Sequence, residues 1–423
     1  MAAGRVNSSW VELHASRGLE SREHRLMMRL SVVAADLLVL VPAIFMFSSS
    51  PLTLVTLLAY PGLIIIDHGH FQYNNISLGL ALMAVALVTS GRHVPGSVFF
   101  VLALNYKQME LYHALPFFFY LLGISWKQRT VTGKLFKLMS ISLAVVISFA
   151  VIWAPFIALG PDTVIQVLKR VFPFDRGLFE DKVANFWCAL DVIVKLKQKM
   201  DIPDLAKLCL CTTMVASIPS NLHLLMNPSP RNFIFALVNT SLSFFLFSFH
   251  VHEKTILLAA LPICLLTHSE ADPLVARTIV PWLLTISTFS MLPLLIKDGL
   301  LLPTLSLSVL FLTLIHSLDN LKTIGEEKPR SVSQRIQSPA PLPAVTMTET
   351  ITKCLAKLSL AGCVVLILLS QSFPAPEKFP FLWPLLICIY SAAHFIAALI
   401  YFHFLQFSSP EDLSLKAKKK KIS

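Results

Sequence analysis

The sequence predicts an all-α, polytopic membrane protein, and three observations predict it. Of 423 residues, 55% are hydrophobic and only 14% are charged, with a mean hydropathy of +0.70; soluble domains carry about a quarter charged residues. The apolar runs are helix-length rather than the short alternating segments of an outer-membrane barrel, and lipid admits only those two architectures. Lysines and arginines gather between apolar runs at positions that share one side of a bilayer.

The runs, in order, are Met28–Phe47, Leu52–Ile66, Ile76–Val88, Val94–Leu104, Leu111–Ile124, Leu135–Leu159, Leu205–Met226, Phe233–Phe249, Thr255–Thr267, Ile279–Ile296, Leu300–Ser317, Ile351–Leu369 and Phe381–Phe404. These make about thirteen spans, some shorter than the ~20 residues of a full crossing and therefore tilted or broken. With thirteen, Lys127, Arg129, Lys134 and Lys137, then Arg231, then Lys322, Lys328, Arg330 and Arg335, and finally Lys416 and Lys418 to Lys421 all fall on the cytosolic side. The other side, luminal or exterior, collects the polar strings 67–75, 105–113, 160–202, 250–254 and 297–299.

The same parity places the N-terminus opposite the cytosol although Arg17, Arg22, Arg25 and Arg29 precede the first span, so the chain is expected to start within a longer protein. Residues 1–28 are read as an interfacial amphipathic segment, with Trp10 to Met28 a helix burying Trp10, Leu13, Leu26 and Met27. The remaining division is a transmembrane module over 29–317 containing the loop 160–202, a cytosolic linker over 318–350, a C-terminal hairpin over 351–406 and a basic cytosolic tail over 407–423. Lys420 and Lys421 stand fourth and third from the end, the arrangement of a dilysine retrieval signal or of a polybasic lipid-binding tail.

A net charge of +11 is scattered over loops and a tail with no soluble domain, which excludes nucleic acid as a partner and leaves membrane lipids. Seven cysteines, of which Cys209, Cys211, Cys264, Cys363 and Cys388 lie inside spans, form no disulfide framework, and Cys209-x-Cys211 as a metal pair is a weaker reading than helix packing. Asp36, inside the first span, should face protein, since a charge at the bilayer centre costs about 2.5–3.5 kcal/mol.

The polar strings carry the chemistry. Asp67, His68, His70, Gln72, Tyr73 and Asn74 lie at the mouth of a span, where a lining role is preferred over simple helix capping. Lys107, Glu110 and His113 share one helical face; Lys107 with Glu110 can be a plain ion pair, and one Glu–His pair is too little for a metal. Asp175, Arg176, Glu180, Asp181 and Lys182 read as a solvated loop with internal ion pairs. Glu253 suits a helix N-terminus, whereas His252 and Lys254 are assigned to a phosphate. Carboxylates beside cations and aromatics, without a Gly-rich phosphate loop or a Ser nucleophile elbow, suit sugar phosphates. The sequons at Asn7, Asn75 and Asn239 are expected to be unoccupied.

The strings Asp67-x-Gly69-His70-Phe71-Gln72-Tyr73-Asn74, Asn105 to Phe117 and Phe249-x-Val251-His252-Glu253-Lys254 resemble the endoplasmic reticulum glucosyltransferases that use dolichyl-phosphate glucose. The loop Phe172 to Cys188, containing Asp175-Arg176-Gly177-Leu178-Phe179-Glu180-Asp181-Lys182, is similar to the branch that adds the first glucose to the lipid-linked nine-mannose oligosaccharide. The resemblance implies a glycosyltransferase C superfamily fold in the endoplasmic reticulum membrane, with a luminal site and a cytosolic C-terminus. It implies dolichyl-phosphate glucose as donor, a dolichyl-pyrophosphate oligosaccharide as acceptor, an inverting α-1,3 transfer, and neither cofactor nor metal.

It also implies that all five charged residues of the 175–182 loop contact substrate, and that the catalytic base is an aspartate on a luminal loop preceding the residues matched here. This chain is expected to lack that loop and its span, an N-terminally truncated form in which Asp67 is the fallback base. The alternatives are an inactive form or regulator of the same pathway, and the enzyme adding the second glucose. A secondary transporter would show paired internal repeats, and neither 67–75 nor 250–254 has a second copy.

Overall fold

The computed structural model describes residues 8–10, 12, 18–19, 21–171, 182–268, 272–326 and 347–408. Among these, regular structure is helical throughout, with no strand. Seven helices are long and apolar enough to cross a membrane: α1 (Arg22–Phe47), α2 (Pro51–Gly69), α6 (Val131–Ala158), α9 (Ile202–Met226), α13 (Leu301–Glu326), α14 (Met347–Ser372) and α15 (Leu382–Phe407). Between them run α3 (Asn74–Thr89), α4 (His93–Tyr106), α5 (Leu111–Trp126), α10 (Pro230–Phe247), α11 (Ile256–Leu265) and α12 (Val280–Ser290). Each predicted apolar run falls on a helix, but several are short or broken, so thirteen crossings stay an expectation.

The breaks have local causes. Prolines stand at the starts of α2, α10 and α12, where a missing N–H costs nothing. A second proline, Pro61, restarts α2 after a break at Ala59 and Tyr60. The first span differs from expectation at its start: Trp10 to Met28 is not one helix. Gly18 turns the chain at φ 77°, Ser21 accepts from His24 N at 3.1 Å, and Arg22 begins the rod that continues to Phe47. The 160–202 segment contains an amphipathic helix α7 (Pro161–Val171) and a second helix α8 (Phe186–Val194). Helices α13 and α14 also run into the expected 318–350 linker, whose central residues 327–346 lie outside the described ones, as do the tail from 409 onward with Lys420 and Lys421, and Asn7.

Helices α10 and α11 form the centre. Every residue of α11 is buried, and α10 packs against α5, α9, α11 and α15; a helix that is apolar all round belongs inside. Helix α6 buries only Ile141 and turns Leu135, Phe136, Met139, Val146 and Val151 outward, as a lipid-facing helix should. Small residues allow close crossings: a Cβ on Gly79 of α3 would stand 3.1 Å from the Leu40 backbone of α1.

Several polar groups inside this apolar mass are tied to one another across helices. Asp36 accepts from Asn75 Nδ2 at 2.8 Å and pairs with His68 Nε2 at 2.7 Å, so it does face protein. Asn239 donates to Gln406 Oε1 at 2.8 Å; that oxygen also accepts from Ser220 Oγ at 2.5 Å, and Gln406 Nε2 donates to Ser220 O at 2.9 Å. The knot ties α15 to α9 and α10, making it part of the helical mass. Interhelical hydrogen bonds in membranes average about 0.6 kcal/mol each. Gln406→Ala, which removes three, should therefore lower stability by about 1–2 kcal/mol, seen as a lower thermal midpoint in detergent, whereas Gln371→Ala, exposed at the end of α14, should leave the midpoint unchanged.

Candidate functional site

Three of the polar strings meet at one end of the helical mass. The organising group is Asp67, fully buried at the end of α2. Its Oδ1 accepts from Asn74 Nδ2 at 2.7 Å and its Oδ2 from the Asn75 backbone N–H at 2.7 Å. An unpaired N–H at the start of α3 is thus satisfied by a carboxylate, which the helix dipole also favours. Between them the chain turns through Phe71 at φ 70°, a left-handed conformation that a bulky residue adopts only under constraint.

Asn74 relays the order outward. Its Nδ2 also donates to Gln72 Oε1 at 3.0 Å, and its Oδ1 accepts from Lys107 Nζ. Lys107 caps the C-terminal end of α4 in an extended conformation, where its positive charge suits the helix dipole.

A second relay enters from the opposite wall. Lys254 Nζ donates to His70 Nε2 at 3.0 Å, and His70 Nδ1 lies 2.6 Å from Asp298 Oδ2. The pattern fits an imidazole that donates from Nδ1 to the carboxylate and accepts from the ammonium at Nε2.

Glu110 and His113 hold the walls together from behind. The Glu110 carboxylate is fully buried, and its Oε2 lies 2.7 Å from His113 Nδ1, while His113 Nε2 lies 2.7 Å from the Leu258 carbonyl of α11. With acceptors on both nitrogens the imidazole donates at Nε2, and a proton lies between Nδ1 and Glu110. The pair fastens α5 to α11; the alternative Lys107–Glu110 pair does not form, because Lys107 reaches Asn74.

The result is a cavity of about 240 Å³ whose polar lining is Gln72, Asn74, Lys107, Gln108, His252 and Lys254, with Ser77 and Thr255 beside them. Among the described residues its lining holds no carboxylate. Burial pushes both lysines below the ordinary lysine range; for Lys107 the Asp67 and Glu110 carboxylates pull back while Lys254 pushes further down, and for Lys254 the carboxylates of Glu253, Asp298 and Asp67 pull back. Two half-desolvated cations facing one cavity suit a phosphate.

Of the sequence-predicted residues, Gln72, Asn74, Lys107, His252 and Lys254 line this cavity, and His70 reaches it through Lys254. Asp67, Glu110, His113 and Glu253 are buried outside the lining. His68 turns instead to Asp36, and the Tyr73 hydroxyl to Ser31 Oγ at 2.6 Å. Lys182 lies at a different recess, and Asp175, Arg176, Glu180 and Asp181 are outside the described residues. The sequence did not single out Asp298 as the partner of His70 or Thr255 as a wall; the only signal was that each sits within or next to a polar string.

Comparison with known proteins gives the family. Residues 1–401 match the ALG6, ALG8 glycosyltransferase family. The chain is 42% identical over 408 residues to the dolichyl pyrophosphate Man9GlcNAc2 alpha-1,3-glucosyltransferase of Mus musculus, covering 94% of this chain and 79% of the relative. It is 43% identical over 412 residues to the Gallus gallus protein of the same name, with the same two shares, 94% and 79%. It is 41% identical over 420 residues to a probable Drosophila melanogaster counterpart, covering 96% of this chain and 82% of that one. A match over nearly the whole chain, joined to convergence of the 67–75, 105–113 and 250–254 strings, makes this polypeptide a member of the ALG6, ALG8 glycosyltransferase family.

Proposed function

We propose that this protein transfers the first glucose from dolichyl-phosphate glucose to dolichyl-pyrophosphate-linked Man9GlcNAc2, in α-1,3 linkage, as a multi-pass protein of the endoplasmic reticulum membrane with its site on the luminal face and its C-terminus in the cytosol. The single observation that carries the donor assignment is the cavity between Lys107 and Lys254, cationic, with no carboxylate in its lining among the described residues, and set at the edge of the apolar mass. The relatives' names support the acceptor.

An apolar groove of about 410 Å³ supports a lipid-borne donor. It runs between α4, α5 and α6, where Phe100, Phe117, Phe118, Leu138, Val145 and Phe149 line it. Its Leu104 is three residues before Lys107. A polyisoprenyl chain in this groove would deliver its phosphate to the two lysines.

In the reaction a mannose hydroxyl attacks the anomeric carbon of glucose, the carbon–oxygen bond to phosphate breaks, and dolichyl phosphate leaves. A β-linked donor then gives an α product by one in-line displacement. As the new bond forms, the mannose hydroxyl gives its proton to a general base. Lys107 and Lys254, with His252, meet the negative charge that builds on the departing phosphate, and the Asp67–Asn74 and Asp298–His70 relays hold the two ammonium groups in place.

Transfer of labelled glucose by the purified protein tests the reading; complete absence of product would refute it. A hydrogen bond to a charged group is worth about 1.5–3 kcal/mol, so Lys254→Ala should lower kcat/KM for the donor by about 30-fold, and kinetics equal to the wild type would remove Lys254 from the phosphate site.

The pH dependence follows from the lowered lysines. Phosphate binding needs them protonated, and their protons leave at a pH below the ordinary lysine value of 10.5. Donor KM should therefore rise on the alkaline side earlier than for an exposed lysine. In Lys254→Arg, whose guanidinium stays charged, the rise should be shallower, as measured by donor KM against pH.

A further inference from the structure

We infer that a second recess on the site face, walled by α8 and the start of α15, binds the terminal mannose residues of the acceptor; this rests on the transfer reaction proposed above. The recess measures about 380 Å³, and its polar lining is Lys182, Asp191, Lys195 and Gln198, with Val192 and Leu385 as apolar surface.

Its frame is fixed. Asn185 caps α8 by accepting from Cys188 N at 2.8 Å, and Trp187 Nε1 donates to Phe247 O of α10 at 2.7 Å. Cys388 Sγ of α15 donates to Lys182 O at 3.0 Å, and the Lys182 ammonium lies 5.5 Å over the Phe381 ring. Lys195, at φ 50°, ends α8 in a left-handed conformation. The chain therefore turns back, with Gln198 N donating to Lys195 O at 3.0 Å, and brings Gln198 to the same recess as Asp191.

Chemistry separates the two cavities. A phosphodiester only accepts hydrogen bonds, and the first cavity offers it ammonium groups with no lining carboxylate among the described residues. Sugar hydroxyls both donate and accept. The second recess mixes a carboxylate and a carboxamide with two ammonium groups, and adds Val192 and Leu385 for the C–H faces of a sugar ring. A carboxylate in the lining works against an anion and suits a neutral polyol.

Position joins them. The chain from Phe249 to Lys254 runs between the two: Phe249 packs against the cluster that holds Trp187 and Cys188, while His252 and Lys254 line the phosphate cavity. Three residues from Phe249 to His252 span at most about 11 Å, so an oligosaccharide seated in the recess can present a mannose hydroxyl to a glucose held at the lysines.

The test is steady-state transfer by the whole purified protein with donor and acceptor varied independently, in Asp191→Asn, Gln198→Ala and Lys195→Asn. Asparagine tolerates the left-handed conformation, so the last variant removes the ammonium and keeps the turn. We expect acceptor KM to rise about tenfold in each, as for loss of one or two hydrogen bonds, with donor KM and thermal midpoint unchanged. A soluble high-mannose oligosaccharide without pyrophosphate should inhibit the wild type and inhibit the variants about tenfold more weakly. Unchanged acceptor KM in all three variants overturns the assignment. So does a loss of inhibition by inorganic pyrophosphate in place of the oligosaccharide, which would make the recess an anion site. A wild-type protein that binds the oligosaccharide, loses it in the variants and transfers no glucose would keep the recess as a mannose site and refute the reaction instead.

Discussion

The site depends on one buried carboxylate. Asp67 is fully enclosed and commits both oxygens to its own loop, to the Asn74 carboxamide and the Asn75 N–H. In a low-dielectric setting neither donor can be left without a partner, and the carboxylate cannot be left without donors. The Asn74 carboxamide is therefore turned with its oxygen toward Lys107, and the Asn75 side chain is directed to Asp36 of the first helix. One group thus joins α2 to α3, docks α1, and aims a cation into the cavity. The Glu110–His113 pair does the corresponding work for the other wall by reaching the Leu258 carbonyl.

Backbone strain marks the same region. Among the described residues, Phe71, Lys195 and His250 are the non-glycine residues at positive φ, and all three lie on loops beside the two cavities. Such conformations cost of order 1–3 kcal/mol and persist only where the surroundings over-determine them. Phe71 is held by Gln72 N donating to Asp67 O at 3.2 Å and by His70 N donating to Ile65 O at 2.9 Å. The loops are held in shape before any substrate arrives, which lowers the ordering cost of binding.

Much of this was legible in the sequence, and what was not has a physical reason. Polar strings interrupting helix-length apolar runs are expensive in lipid, so 67–75, 105–113 and 250–254 stood out, and they converge. Which member of each string faces the cavity was not legible, because a turn of irregular backbone sets the direction of each side chain. His68 and His70 are two residues apart, yet one reaches Asp36 and the other Lys254. Asp298, more than two hundred residues from His70, becomes its partner only through packing. Apolar runs report burial in protein as well as in lipid: α11, buried along its whole length, reads in sequence like a helix in lipid.

On the donor assignment proposed above, the two lysines favour reaction over mere binding. A phosphodiester donor carries one negative charge, and the departing dolichyl phosphate carries close to two, so charge grows as the bond to glucose breaks. Lys107 and Lys254 are lowered chiefly by burial, and Lys107 further by its neighbouring cation. An incoming anion relieves the repulsion, and the relief increases as the anion gains charge. Interactions that strengthen toward the transition state raise kcat, while those equal in both states only lower KM. Because Asn74 and His70 hold the ammonium groups in advance, little reorganisation is needed when that charge appears.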